Sequence, residues 1–390
     1  MQSQEHDYTT SDYASPGERQ INTDPREQPR QQEYTYRPYE EGYTGLNERD
    51  IWNEGEKLRV EPKHERSMGG LLALIALLCA VFIAGSLFGA ILSWLSWLIV
   101  VILIVAGLGA LATNWRIVII PMPTRTFQIA EHARLVINNG GGKVLIRRGE
   151  PGIITVNATK RASGIGIDPE KMQVMYDQRG DTVNIATNVS WNFFQFGLRS
   201  VNFEITVPEN CDVDLENGWG GVTVQETSGN IRLRTGSGGI EARQLQGQIA
   251  IKTGSGGVKA SELQGQVLVH TGSGGIDADG LQGQVSLTTG SGGIRVDRSM
   301  LAGSSRFSTG SGGIDFEGAL DPRGNVQMKT GSGGIRLRLP NNATFSLDAK
   351  TGSGGVHNEF GGNEVGGDPR AQLRLRTGSG GIHISRGGIF

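Results

Sequence analysis

The stretch "TGSGGIEARQLQGQIAIK" at residues 235–252 is followed at once by a second stretch, which begins "TGSGGV" at residue 253. The pentapeptide TGSGG occurs eight times, and the spacings between successive copies are 18, 18, 18, 20, 21, 21 and 26 residues. Self-similarity at a period near twenty residues is typical of a solenoid, in which each repeat forms one coil. The threonines that begin the copies are Thr235, Thr253, Thr271, Thr289, Thr309, Thr330, Thr351 and Thr377.

Apolar and polar residues alternate on both sides of each glycine cluster. In the first copy, Ile231 and Leu233 precede the cluster, and Ile240 and Ala242 follow it. A period of two predicts short β-strands that turn one face inward. Two such strands cannot bury a core alone, but coils stacked about 4.8 Å apart can. We therefore predict an all-β, single-stranded β-solenoid with coils of 18–21 residues.

The return path of each coil and the segment upstream of the first copy complete the predicted organisation. The return path is the segment that leads from the second strand of one copy to the first strand of the next. In the first copies it carries one further inward residue, Leu245, Leu263 or Leu281, which predicts a coil with three corners. The same alternation occurs in weaker form around Asn217 and Asn139. We predict a linker at 113–126, a β cap region at 127–212 and the solenoid repeats at 213–390.

Threonine and serine in each pentapeptide share the parity of the inward positions. Buried hydroxyl groups need hydrogen-bond partners, so we predict that they form structural ladders, inward or at the corner, bonded from coil to coil. The serines of the first four copies are Ser237, Ser255, Ser273 and Ser291.

The outward position six residues after each threonine alternates in charge through six copies. Stacked coils would bring opposite charges side by side, at roughly 0.2–1 kcal/mol for each pair, so we assign this charge ladder mainly to coil register. His357 and His383 occupy the same position in the last two copies. The charge ladder consists of Glu241, Lys259, Asp277, Arg295, Asp315 and Arg336.

Two regions of different composition precede the repeats. Residues 1–68 are acidic, rich in Gln and Tyr and poor in aliphatic residues, which predicts a disordered tail. Residues 69–112 contain no charged side chain. One helix of that length would measure about 65 Å, twice the hydrocarbon core of a bilayer, so we predict a transmembrane hairpin of two helices. The protein is then an integral protein of the cell membrane, with the lipid bilayer as a partner.

The side of the membrane that the solenoid occupies depends on the number of crossings. Lys57, Arg59 and Lys63 precede the apolar segment, and Arg116 follows it. A hairpin would place both flanks in the cytoplasm by the positive-inside rule, whereas a single crossing would export the solenoid. No pattern typical of a signal peptide begins the sequence.

The repeats argue against catalysis and against bound cofactors. A serine nucleophile needs its own histidine base, but the repeat serines all share one context. A phosphate-binding loop requires a Lys-Ser/Thr pair and then a helix, and neither follows TGSGG. Calcium-binding β-rolls need an acid in nearly every turn, whereas acids and bases alternate here. We predict no enzyme, no cofactor and no metal site; the alternative is a polysaccharide-active β-helix enzyme that uses Asp277, Asp279, Asp297, Asp315 and Glu317.

Charge and cysteine content exclude two further classes. The formal net charge of −2 gives no basic field for nucleic acid. Cys79 and Cys211 are the two cysteines, one in the apolar run and one in a polar stretch, so no disulfide is predicted.

With its TGSGGI and TGSGGV repeats, the segment 127–390 resembles the bacterial "putative adhesin" family of domains of unknown function. The resemblance implies a β-solenoid and supplies no catalytic residues. Some relatives are similar to envelope-stress proteins of Lia type, which join such domains to membrane helices.

These observations predict a membrane-anchored, non-enzymatic scaffold or adhesin-like binding surface in the bacterial cell envelope. The predicted partners are cell-wall glycan, envelope proteins or a second copy, which would pair through an uncapped solenoid end at 377–390. Besides the enzyme, an envelope-stress sensor with a signalling tail is an alternative. That tail carries Tyr8, Tyr13, Tyr34, Tyr36, Tyr39 and Tyr43.

Overall fold

The computed structural model describes residues 75–78, 80, 97–107, 109, 116–130, 132–165, 171–189 and 196–387. The predicted tail at 1–68, with its tyrosines, lies outside these residues. Helix occurs at 75–78, 80, 97–107 and 109, and strands and turns make up nearly all that follows. The all-β prediction for the repeat region is confirmed.

The prediction of an integral membrane protein must be corrected. None of the helices among the described residues has both the length and the apolar character needed to cross a bilayer. The longest described helical run, 97–107, would measure roughly 16 Å, about half of a hydrocarbon core. The predicted localisation is therefore wrong on this finding. Most of the predicted hairpin at 69–112 lies outside the described residues.

Nine strands make up the N-terminal part of the β structure. Ile117–Ile120 form a β-branched run, so the strands begin within the segment that we predicted as a linker. The strands are β1 (Arg116–Pro121), β2 (Arg125–Gln128), β3 (Ala133–Asn139), β4 (Val144–Arg148), β5 (Ile153–Ile165), β6 (Met172–Arg179), β7 (Thr182–Val189), β8 (Phe196–Val207) and β9 (Cys211–Trp219).

Fifteen further strands form the repeats. They are β10 (Val222–Ser237), β11 (Ile240–Thr253), β12 (Val258–Thr271), β13 (Ile276–Asp279), β14 (Gln282–Thr289), β15 (Ile294–Leu301), β16 (Ser304–Thr309), β17 (Ile314–Leu320), β18 (Asn325–Thr330), β19 (Ile335–Pro340), β20 (Phe345–Ser353), β21 (Val356–Asn358), β22 (Glu364–Val365), β23 (Ala371–Ser379) and β24 (Ile382–Gly387).

Antiparallel strands and parallel coils meet at β3 and β4. β5 pairs antiparallel with β1, β2 and β8, and β6 pairs antiparallel with β7. β3 lies parallel between β7 and β9, while β4 lies parallel between β8 and β10. The β3–β4 coil is thus the first coil of the solenoid and contacts the antiparallel strands on one side.

From β10 onward, each coil pairs in parallel with the next through identical repeat positions. Thr235 has Thr253 as its register partner, and Thr253 has Thr271. The inward side chains of successive coils are buried, as Ile231, Ile249 and Val267 illustrate. One continuous hydrophobic core therefore runs through the stack. Leu245, Leu263 and Leu281 on the return path are also buried within it.

The last two coils are stacked in the reverse of their sequence order. β23 pairs with β18 on one side and with β20 on the other, so Thr377 lies between Thr330 and Thr351. β24 likewise lies between β19 and β21. The final coil of the stack is therefore formed by β20 and β21, which precede β23 in the chain.

Candidate functional site

The threonine ladder joins each coil to its neighbour at the glycine corner. The Thr271 hydroxyl donates to the carbonyl oxygen of Gly256 at 2.9 Å and accepts a hydrogen bond from the Gly274 amide at 3.1 Å. The donated bond recurs, at 2.7–2.9 Å, from Thr253, Thr289, Thr309, Thr330, Thr377 and Thr351. The ladder side chains are buried, except for the half-buried Thr351. The ladder therefore joins neighbouring coils at the corner.

Thr235, the first threonine of the ladder, does not make the ladder hydrogen bond among the described residues. Asparagine, rather than threonine, occupies the corner of the coil before it. Asn217 donates to the carbonyl oxygens of Gly142 and Gly220, at 3.1 and 3.2 Å. Asn139 in turn donates to Asn217 at 3.0 Å. In the part of the chain that the structure describes, the buried Thr235 hydroxyl has no hydrogen-bond partner.

Of the two places predicted for the serines, inward or at the corner, the structure shows the corner, where Ser237, Ser255, Ser273 and Ser291 are exposed. The glycine between threonine and serine turns the chain, so the alternation that places threonine inside does not continue through it. The serines form an exposed rail at the corner. Trp219 is the register partner of Ser237 and begins this serine rail, with its indole ring against the Gly141 backbone.

The charge ladder is one column across neighbouring coils. Glu241 has Lys259 as its register partner, and Lys259 has Asp277. The column continues to Arg295, Asp315 and Arg336, where the Arg336 guanidinium lies 3.1 Å from the Asp315 carboxylate.

A second outward column lies two residues after the charge ladder and is acidic in its middle. Asp279 pairs with Arg298, and Glu317 pairs with Arg338. Asp297 is the register partner of Asp279. Partial burial, followed by the charge of Glu317, raises the pKa of the Asp297 carboxyl group, although Arg295 opposes the change. This column contains three of the five carboxylates of the enzyme alternative, and the other two, Asp277 and Asp315, lie in the charge ladder.

The prediction that residues 377–390 form the free end of the solenoid must be corrected. Thr377 lies between Thr330 and Thr351, and residues 382–384 lie between β19 and β21, so strands flank most of the described part of this segment on both sides. The end of the stack is β20–β21. β22 covers only the start of β20, through Phe345 and Ser346. Among the described strands, none pairs with the rest of β20 on its outer side.

A histidine pair continues the charge ladder at this end. His383 is the register partner of both Arg336 and His357. The two imidazole rings are stacked, with centroids 4.8 Å apart and an interplanar angle of 11°. Nε2 of His383 lies 3.7 Å from Oε1 of Glu359. Potential ligand atoms of His357, Glu359 and His383 all lie within 4.8 Å of one another, which makes this His–Glu cluster a candidate metal centre.

An open cleft of about 580 Å³ adjoins the His–Glu cluster. Leu347, Ala349 and Val356 line its apolar part, and His357 and Asn358 line its polar part. Val356 is 45% exposed, so the hydrophobic core is incompletely covered at this end of the stack. Sequence reasoning missed this site because the repeat pattern does not show that the Glu359 carboxylate, two residues after the charge ladder, lies beside His383. The signals present were two consecutive histidines in the ladder and the spacing of 26 residues.

Comparison with known protein families gives a match over most of the described β structure. The family model described as "Toastrack DUF4097" matches residues 132–385. This chain belongs to the Toastrack family. The match begins before β3 and ends within β24, so the Toastrack region includes the asparagine corners and the His–Glu cluster. Among curated proteins, none matches the sequence.

Several solved structures are similar to the Toastrack region. A "putative cell adhesion protein" from Clostridium sporogenes is 16% identical, with 69% of this chain and 100% of that chain covered and a TM-score of 0.20. A "putative adhesin" from Bacteroides fragilis is 13% identical, with coverages of 69% and 97% and a TM-score of 0.32. A "putative lipid binding protein" from Parabacteroides distasonis is 15% identical, with coverages of 68% and 96% and a TM-score of 0.35.

Proposed function

We propose that this Toastrack protein is a non-enzymatic binding scaffold, whose solenoid offers a repeating polar surface to a polymer of the bacterial cell envelope. The register between coils is the observation that supports this proposal. Because Glu241, Lys259 and Asp277 are successive register partners, outward side chains recur once per coil, about 4.8 Å apart. Such a surface suits a partner that is itself periodic.

The serine rail is the part of this surface that fits a glycan. Its hydroxyl groups are exposed and can both donate and accept hydrogen bonds, as the hydroxyl groups of a sugar polymer do. Trp219, 37% exposed, adds an aromatic surface at the start of the rail. Aromatic side chains are enriched at binding interfaces because they combine apolar area with few rotatable bonds. We therefore propose cell-wall glycan as the partner.

Charge pairing in the acidic column favours a scaffold over a polysaccharide-active enzyme. Two of its carboxylates, Asp279 and Glu317, are paired with arginines. An arginine that pairs with a carboxylate occupies the oxygen atoms that a catalytic carboxylate would direct at the substrate. Asp297, with its raised pKa, is the residue that tests the alternative. Release of reducing ends from glycan, abolished by Asp297→Asn, would favour the enzyme.

Co-sedimentation with insoluble cell-wall glycan tests the scaffold directly. We expect the purified full chain to bind saturably and without change in the glycan. Ser255→Lys with Ser273→Lys places bulky side chains in two adjacent coils of the rail and should weaken binding at least tenfold. Gln264→Lys with Gln282→Lys adds the same charge to two adjacent coils on the return face, where both glutamines are exposed, and should leave binding unchanged.

Trp219→Ala should also weaken binding, because it removes the aromatic surface that begins the rail. Equal binding by the serine and glutamine variants would contradict a glycan site on the rail. No sedimentation of the unmodified chain would contradict the proposed partner.

A further inference from the structure

We propose that His357, Glu359 and His383 bind one divalent transition-metal ion, of which zinc is the first candidate. The ion would join the terminal coil to the coil beside it. This site is independent of the serine rail and of the glycan partner proposed above.

Either stacking order makes the two histidines neighbours, and the reversed order makes His357, rather than His383, the outer residue of the column. If the coils were stacked in sequence order, His357 would be next to Arg336, and His383 would be the end of the column. In the structure, His383 lies between them as the register partner of both. Both imidazoles extend from neighbouring parallel strands on the same outward face, with nearly parallel rings. They can therefore turn toward one shared point.

Glu359 is positioned as the third ligand by the backbone of the neighbouring coil. Its amide donates to the Ile384 carbonyl oxygen at 3.0 Å, and its Oε2 accepts a hydrogen bond from the Arg386 amide at 3.0 Å. The other carboxylate oxygen, Oε1, remains on the side of His383. Such outer hydrogen bonds orient a ligand before the metal arrives, and they are typical of metal sites in proteins.

The donor set fits zinc. Two imidazole nitrogens and one carboxylate oxygen are a known zinc ligand set that leaves a fourth position open. With bonds of 2.0–2.2 Å, ligand atoms around one tetrahedral ion lie about 3.3 Å apart. The present separations of up to 4.8 Å must therefore shorten. His383 and Glu359 are 48% and 40% exposed, so side-chain rotation can bring the atoms closer without moving the strands.

Binding would stabilise the end of the solenoid. The outer side of most of β20 has no strand partner in the described part of the chain, and β21 pairs only with β24 there. An ion held by Glu359 and His357 on one side and by His383 on the other would attach this coil more firmly. Because the ion binds the folded arrangement only, it adds stability in proportion to the logarithm of its concentration.

Calorimetric titration of ZnCl₂ into untagged, chelator-treated full chain tests the proposal, and the visible absorption of bound Co²⁺ reports the ligand field. We expect one ion per chain, with micromolar affinity. His357→Ala and His383→Ala should each weaken that site at least about tenfold, and Glu359→Gln should do so too. His132→Ala is the matched control, because His132 pairs instead with Asp212, at 3.1 Å, and should leave binding unchanged.

Circular dichroism of the metal-free variants checks that they fold, which the exposure of the three side chains leads us to expect. Zinc should raise the melting temperature of the unmodified chain and of His132→Ala, and not that of His383→Ala. Absence of binding, or equal binding by all variants, would overturn the proposal, because the ion would then be bound elsewhere or not at all.

Discussion

Arg336 has His383 as its register partner, and His357 lies one coil further along the stack. The threonine hydrogen bonds follow the same order. Thr377 donates to the carbonyl oxygen of Gly333, and Thr351 donates to that of Gly380, each at 2.8 Å. Along the sequence, the coil at the end of the stack therefore comes first, and the coil that lies between it and the β18–β19 coil follows. This order makes the β20–β21 coil, which carries His357 and borders the cleft, the end of the stack.

The threonine ladder should contribute measurably to stability. Thr271→Val keeps the side-chain shape but removes the two hydrogen bonds of a buried threonine, those with Gly256 and Gly274. Leaving these backbone groups unsatisfied should cost about 1–3 kcal/mol, seen as a lower urea midpoint. Thr235→Val is the control, because that buried hydroxyl has no partner among the described residues. It should be neutral or stabilising, and equal losses for both variants would show that the ladder bonds contribute nothing.

The second glycine of each pentapeptide, which is its fourth residue, should not accept a side chain. A Cβ added to Gly256 would lie 1.7 Å from the Gly238 carbonyl oxygen of the adjacent coil. Gly256→Ala must separate the coils and should cost more than about 3 kcal/mol or prevent folding. At the adjacent Gly257 the nearest atom would be 3.5 Å away, so Gly257→Ala should be tolerated. Urea unfolding of both variants checks the difference, and similar stabilities would contradict close stacking at this corner.

The charge ladder should favour the observed register. Lys259→Glu places an acid between Glu241 and Asp277, whereas Lys259→Gln only removes the attraction. We expect the glutamate variant to be less stable than the glutamine variant by about 0.5–1 kcal/mol at low salt. The difference should shrink in 1 M NaCl, where charges are screened beyond about 3 Å. A difference that does not respond to salt would contradict an electrostatic origin.

Cys211 should make the protein sensitive to alkali. Burial, and secondarily the charge of Asp212, raises the pKa of this thiol from 9.0 to about 12, although a backbone hydrogen bond from Leu135 opposes the rise. Above pH 9 the unfolded chain loses the thiol proton while the folded chain keeps it, so stability falls as the pH rises. The loss approaches about 1.4 kcal/mol per pH unit. Below pH 9 the contribution is fully present.

Unfolding of the unmodified chain and of Cys211→Ala between pH 8 and pH 10.5 isolates this effect, because all other titrating groups are shared. The free energy of unfolding should fall more steeply with pH in the unmodified chain. Parallel pH profiles would show that the thiol is not buried in the folded protein.

The inward positions could be predicted from the sequence because burial in a stacked coil imposes a strict period of two. Ile231, Ile249 and Val267 are buried at the predicted places. The parity of the serines could not be predicted, since glycine leaves the direction of the chain undetermined at the corner. The backbone conformation at a second corner was not predicted either. There Gln244 and Glu262 adopt positive φ angles of 52° and 55°, a conformation that their residue types do not suggest.

The reversed order of the last coils could not be predicted from the repeat pattern alone. Both coils carry TGSGG and the same inward alternation, so either fits against Thr330. The segment between them distinguishes the two coils, because it folds over the outer one. Phe360 packs edge-on against Phe345 with ring centroids 5.3 Å apart, and β22 pairs with β20. The spacing of 26 residues was the available signal, but length alone does not specify where an insertion folds.

Disulfide trapping at the end of the stack tests the coil order most directly. Neighbouring parallel strands bring register partners about 4.8 Å apart, within the Cα range of a disulfide, whereas residues two coils apart are about 9.6 Å apart. In a Cys79→Ser background, Arg336→Cys with His383→Cys should form an intramolecular disulfide on mild oxidation, detected by peptide mass spectrometry. Arg336→Cys with His357→Cys should not. A disulfide in the second pair and none in the first would contradict the reversed stacking of the terminal coils.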